Sequence, residues 1–154
     1  MSSELICQKS ISIGSDHAGF ELKEHIINYL KQQNYMILDS GCFDNSPVDY
    51  PDYAVKVANN ILNNYSYKGI LICGSGSGMC ITANKINKIR AVNCLTPEMV
   101  ALAVQHNNAN ILCLGAKFLL PEDSIKIVKT FFSSTFEEDR HTNRINKIHT
   151  LTGL

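Results

Sequence analysis

Gly69-Ile70-Leu71-Ile72-Cys73-Gly74-Ser75-Gly76-Ser77-Gly78 joins an unbroken apolar run to a loop with three glycines at alternate positions. An apolar run without polar alternation suits a strand covered on both faces, which is the environment of a parallel sheet. The glycines mark a turn, and residues up to about 85 read as a short helix.

The same alternation extends in both directions. Residues 11–14 (Ile-Ser-Ile-Gly) read as a strand, and residues 20–32 place Leu22, Ile26, Ile27 and Leu30 at helical spacing. Residues 36–38 form a short second strand. Residues 39–49 are rich in Gly, Asp, Asn, Ser and Pro and read as a loop. Residues 53–63 are helical, with Val57, Ile61 and Leu62 on one side. Beyond the glycine loop, residues 91–94 give a fourth strand. Thr96-Pro97-Glu98 starts a helix with a cap, an N1 proline and an early acid. Residues 111–114 give a fifth strand, Pro121 opens a helix to about Ser133, and a more polar helix runs from Asp139 to the end. Five strand–helix repeats predict a three-layer α/β/α sandwich around a five-stranded parallel, Rossmann-like sheet. The 154 residues fit one domain, 1–154.

The chain is 45% hydrophobic and 18% charged, with 14 basic and 14 acidic residues and no net charge. That balance argues against a nucleic-acid or membrane surface as partner. No apolar run approaches the roughly 20 residues of a membrane span. Met1-Ser2-Ser3-Glu4 lacks the basic and apolar regions of a secretory signal. The six cysteines contain no CxxC pair, and four of them lie in or beside apolar runs. The expectation is a cytoplasmic protein with reduced thiols and no structural metal.

In parallel sheets ligands bind at the carboxyl edge of the strands. There the glycine loop offers successive amides at a helix mouth, a concavity that favours an anion. It lacks the Lys-Ser/Thr of a P-loop, and its GxGxG spacing departs from the dinucleotide fingerprint. A tight turn for close helix–strand packing satisfies the same pattern. Cys73 abuts the loop, where amides and a helix N-terminus favour a thiolate base or nucleophile; a strand-end thiol is also ordinary core. Cys80 reads as packed core. Asp16-His17 after the first strand suits acid–base work or a helix cap. His106 lies at a helix C-terminus, near the entry of the next strand, where capping is the plain reading. Arg140 and Arg144 lie four apart on one helical face, placed either to clamp a phosphate or to pair with Glu137, Glu138 or Asp139. Taken together, an anion nest, a base, an acid–base pair and separate cations describe one pocket for proton transfer on a small phosphorylated substrate.

Five ordered segments carry a family resemblance: residues 13–20, 49–54, 69–78 with Ala83-Asn84-Lys85 and Ile89-Arg90-Ala91, 105–107 with 110–115, and 140–144. Across about residues 9–150 the sequence resembles the type B ribose-5-phosphate isomerases, within the wider family that includes galactose-6-phosphate isomerase subunits. The resemblance implies cofactor-free and metal-free interconversion of ribose 5-phosphate and ribulose 5-phosphate in the non-oxidative pentose phosphate pathway. It also implies a homodimer or tetramer with active sites between subunits, and a helix from about residue 140 packing on the partner.

By position, the resemblance implies that Cys73 removes the C2 proton, the place of the alternative glutamate being taken by Met79. Ser75 and the amides of Gly74, Gly76, Ser77 and Gly78 would hold the enediolate. Asp16 would bind sugar hydroxyls and move a proton between O1 and O2. His106 would open the ring, with His141 as its rival. Asn107 and Tyr50 would contact substrate, and His17, Arg140 and Arg144 would face the phosphate. Lys117 stands where the family commonly has arginine, which keeps the charge and loses the bidentate fork. A six-carbon sugar phosphate (allose or galactose 6-phosphate) as substrate and a non-catalytic sugar-phosphate binder are the alternatives.

Overall fold

Among the described residues five strands build one sheet: β1 (Ser10–Ser15), β2 (Met36–Asp39), β3 (Lys68–Cys73), β4 (Ala91–Asn93) and β5 (Ile111–Gly115). Their order is β2-β1-β3-β5-β4 and every neighbouring pair is parallel. Six described α-helices connect and follow them: α1 (Phe20–Gln32), α2 (Tyr50–Leu62), α3 (Ser77–Ala83), α4 (Pro97–Asn107), α5 (Pro121–Ser133) and α6 (Asp139–Thr152). The structure is a computed structural model and describes residues 10–154, so the reading of residues 1–4 and Cys7 lie outside the described residues.

Side-chain alternation sorts the strands into two cores. Ile11, Ile13, Ile70, Ile72, Leu112 and Leu114 pack with Ile26 and Leu30 of α1, Val100 and Val104 of α4, and Ile127 and Phe131 of α5. Leu71, Cys73, Ile111 and Cys113 point to the other face, against Ala54 and Val57 of α2 and Met79 and Ala83 of α3. This is the expected three-layer sandwich, with helices on both sheet faces. Helix α2 lies close because Gly69 has no side chain: a Cβ there would sit 2.7 Å from Val57.

Several element ends differ from the sequence reading by one to three residues, and two of them have a visible cause. Helix α2 begins at Tyr50, not Tyr53, because Asp49 is extended and Pro51 occupies the first turn, where proline costs no hydrogen bond. Helix α3 stops at Ala83, because Asn84 turns its side chain to Ala91, accepting from its N–H and donating to its carbonyl, both at 2.8 Å. The Thr96 cap is present, its hydroxyl accepting from Met99 N. No described helix is long and apolar enough to cross a membrane. The five described cysteines are free thiols.

Candidate active site

Chain connections leave β1 toward β2 and leave β3 toward β4 and β5, so the crevice between β1 and β3 is where the strand order reverses. Ligands in open parallel sheets bind at such a point, outside the carboxyl ends. Asp16 and Cys73 flank it. The Asp16 N–H donates to Ile72 O at 3.1 Å, which fixes Asp16 beside the end of β3. Its carboxylate accepts from Gly19 N at 3.0 Å, so the capping role read from the sequence is present. Only one oxygen is spent in this way, and the residue is 8% exposed.

Cys73 ends β3 with its side chain 5% exposed. The Gly76 N–H donates to its Sγ at 3.1 Å, so one amide of the glycine loop is aimed at the sulfur. Gly76 has φ +78°, the left-handed region, and a Cβ there would overlap Asn93 Oδ1. Ser75 and Ser77 are exposed at the loop tip, where the Ser77 N–H donates to Ser75 Oγ at 3.3 Å. Gly78 opens the first turn of α3 under the Tyr50 ring, which a Cβ would meet at 2.7 Å. The exposed Lys117 extends over Gly74, its N–H donating to Gly74 O at 3.1 Å. His17 is also exposed, with Nδ1 between the Val48 N–H (3.2 Å) and carbonyl (3.3 Å). One base candidate, one carboxylate, an amide nest, a tyrosine, an imidazole and an ammonium thus share the carboxyl edge.

The remaining predicted residues do not. Helix α4 runs back across the sheet, so His106 and Asn107 at its end lie at the amino edge, beside the entry to β5. Helix α6 docks there through buried His141 and Ile145. The His106 and His141 rings stack, centroids 4.4 Å apart and planes 9° apart. Burial, then His106, Arg140 and Arg144, push the His141 pKa down. Glu137 Oε2 lies 3.9 Å from His106 Nε2. Arg140 and Arg144 are exposed, and no described ion pair links either to Glu137, Glu138 or Asp139. The residues read from the sequence as one pocket therefore fall into two groups on opposite edges of a protomer.

Three features escaped sequence reading. Asn93 touches the glycine loop, donating from Nδ2 to Ser75 O at 3.1 Å and Ser77 Oγ at 3.4 Å. His106, Glu137 and His141 bring three potential metal-ligand atoms within 4.8 Å of one another, a meeting that no local spacing signals. Cys80 is partly exposed, not sealed in core. A hydrogen bond from Cys113, aided by the Asn93 backbone and the Asn84 side chain, outweighs burial and lowers the Cys80 thiol pKa to about 7.

Comparison with known proteins bears on this geometry. The family model described as Ribose/Galactose Isomerase matches residues 11–148. The probable ribose-5-phosphate isomerase B of Mycoplasma pneumoniae is 45% identical over 139 residues, covering 90% of this chain and 91% of the relative. The ribose-5-phosphate isomerase B of Escherichia coli is 38% identical over 140 residues, 91% and 94% of the two chains. Among solved structures, that of Clostridium thermocellum ribose-5-phosphate isomerase B superposes with a TM-score of 0.92 at 40% identity, covering 94% and 97% of the two chains. The Mycoplasma genitalium enzyme with bound ribulose-5-phosphate gives 0.89 at 40% identity, covering 94% and 96%. With a family model spanning the sheet and nearly all the helices, and full-length relatives at this identity, the chain belongs to the ribose/galactose isomerase family.

Proposed function

We propose that this protein interconverts D-ribose 5-phosphate and D-ribulose 5-phosphate through an enediolate. The observation that carries the reading is the pairing of Cys73 with the amide of Gly76 at the β1–β3 crevice, with Asp16 across the gap. Relatives sharing nine-tenths of the chain are ribose-5-phosphate isomerases by name, and one of them binds ribulose 5-phosphate. These names do not favour a six-carbon substrate or a binding module.

Isomerisation moves one proton between carbons and one between oxygens, so its balance needs no redox cofactor. In this reading the Cys73 thiolate takes the proton from C2 of the open-chain aldose, and the electron pair moves toward O1. The thiol then returns the proton to C1. Asp16 carries the second proton between O2 and O1. Ser75 and the amides of Gly74 to Gly78 face the developing oxyanion; such a preorganised donor is worth roughly 3–4 kcal/mol in comparable sites. Tyr50 walls the sugar, and His17 and Lys117 meet the phosphate.

Ring opening needs an acid–base group near the sugar, and among the described residues His17 is the imidazole that follows β1 at the carboxyl edge, while His106 and His141 lie at the other. We assign that role to His106 or His141 of a second copy of the chain. Asn107, Arg140 and Arg144 of that copy complete the substrate and phosphate contacts. A homodimer is thus the functional unit, the helix from Asp139 onward packing against the partner. A phosphate held far from C1 and C2 then fixes the reacting carbons against the thiolate.

A coupled assay with ribose 5-phosphate, allose 6-phosphate and galactose 6-phosphate tests the proposal. Turnover of the pentose with a kcat/KM at least about 100-fold above either hexose supports it, a margin of about 2.7 kcal/mol. A preference for a hexose transfers the reading to that substrate. Binding of all three without turnover leaves only a sugar-phosphate binder.

A further inference from the structure

A peptide unit has two ends, and both ends of Ser75–Gly76 are engaged. Its N–H, on Gly76, points at Cys73 Sγ at 3.1 Å. Its carbonyl, on Ser75, accepts from Asn93 Nδ2 at 3.1 Å. Because the unit is planar and trans, fixing the direction of one end fixes the other. The peptide lies flat on Gly115, where a Cβ would meet the Ser75 carbonyl oxygen at 2.7 Å. Asn93 reaches it from the end of β4, its place set by register: Asn93 pairs with Cys113 of β5, and Gly115 of β5 pairs with Cys73 of β3.

The orientation of the Asn93 amide is dictated by its partner, since the reverse would set Oδ1 against the Ser75 carbonyl. Its Oδ1 is consequently buried without a partner, against Gly76. A buried acceptor left unpaired costs about 1–3 kcal/mol. Stability alone is poorly served by an asparagine here, whereas a hydrogen-bond donor aimed at Ser75 is served well.

We propose that Asn93 is a positioning residue for the isomerase chemistry. By holding the Ser75 carbonyl it keeps the Gly76 N–H turned toward Cys73, where that N–H supports the thiolate. The inference rests on the reading of Cys73 as the base, but its deciding measurement needs no turnover. Without Asn93, the left-handed Gly76 is free to let the peptide rotate and turn its N–H away.

The test is alkylation by iodoacetamide across a pH series, followed at the Cys73 and Cys80 peptides separately by mass spectrometry. It compares wild type with Asn93→Ala and the near-isosteric Asn93→Leu. The expected result is a half-maximal pH for Cys73 raised by about 1 unit, hence alkylation below that midpoint slowed about tenfold. The Cys80 profile should stay in place, and kcat should fall with KM for ribose 5-phosphate within about twofold. A purely structural role would lower the melting temperature and leave the Cys73 midpoint where it was. A midpoint within about 0.2 unit of wild type in either folded variant overturns the proposal. Full turnover by Cys73→Ala would instead remove the base assignment, while the alkylation data would still decide the role of Asn93.

Discussion

The sulfur of Cys73 and the amide nitrogen of Gly76 lie 3.1 Å apart, three residues distant in sequence and joined by the start of the glycine loop. The thiol thus accepts from one main-chain donor of a loop that also faces solvent through Ser75 and Ser77. Base and oxyanion site thus share one loop, whose Ser75 carbonyl is held from outside by Asn93.

Replacing Cys73 with alanine should therefore abolish chemistry and spare the fold. The side chain is almost fully covered, but only one atom is lost and the neighbouring Leu71 and Met79 hold the core. Loss of a positioned base costs about 10²–10⁴-fold in rate. Purified Cys73→Ala with an unchanged circular-dichroism melt and a kcat reduced by that factor is the expected outcome. Normal turnover would remove Cys73 from the mechanism.

Much of this edge is legible in sequence because its parts are local. Cys73 ends a strand, the loop and Asp16 each follow one directly, and the carboxyl-edge rule collects them once the alternation is recognised. Helices α1 and α5 begin and end where periodicity and the Pro121 start signal put them. What is hidden depends on long-range register. Asn93 reaches the loop only because β4 lies two strands from β3 with β5 between them. The His106–His141 stack joins positions on two helices, and the choice between clamp and salt bridge for Arg140 and Arg144 depends on side-chain directions that spacing does not give.

Arg144→Ala should raise KM for ribose 5-phosphate about tenfold or more while changing kcat less, since a charge-assisted hydrogen bond to a non-reacting phosphate is worth about 1.5–3 kcal/mol. The guanidinium is exposed and has no described acidic partner, so its removal carries little structural cost. Steady-state kinetics with an unchanged KM would count against the phosphate contact.

Dialysis against EDTA should leave activity intact. His106, Glu137 and His141 offer ligand atoms within 4.8 Å of one another, but Arg140 and Arg144 crowd the same helix turns and repel a cation. The proposed base and oxyanion donors, moreover, lie on the other edge of the sheet. Activity lost to the chelator and restored by zinc or magnesium would overturn the metal-free reading.

Lys68 makes a different prediction, about stability. Its ammonium is buried at the start of β3, donating to Phe131 O at 2.7 Å and lying 4.5 Å from the Phe131 ring centre, with no carboxylate in contact among the described residues. Burial lowers its pKa from 10.5 to about 8. The unfolded chain therefore holds this proton more tightly than the folded one. The penalty is full below about pH 8 and fades as pH rises toward 10.5, so this group makes the protein more stable with rising pH over that window. Cys94, raised to about 11, and Tyr67, raised to about 12, act in the opposite direction above pH 9 and 10. The clean measurement is thus the difference between wild type and Lys68→Met. Chemical denaturation at several pH values should show wild type gaining on the variant between pH 8 and 10.5, by at most on the order of 3 kcal/mol. A flat difference would mean that the ammonium carries no burial penalty.

The separation of the two groups gives the most stringent prediction. Cys73 and Asp16 occupy the carboxyl edge of the sheet, and His106 and His141 the amino edge, so one protomer does not bring them to one substrate. If two copies join edge to edge, each active site draws its thiolate from one chain and its imidazole from the other. Cys73→Ala and His106→Ala should then each be nearly inactive alone. Mixed after reversible dissociation, half of the randomly formed dimers are mixed, and each of these holds one site with both lesions and one with neither. About a quarter of wild-type activity should return, the share fixed by two-fold symmetry. A site contained within one chain predicts no recovery, because every thiolate-bearing protomer in the mixture would still lack its own His106. Recovery near a quarter together with a dimer mass in solution would support the shared site. No recovery from mixed dimers, verified by tagging the two variants differently, would exclude it.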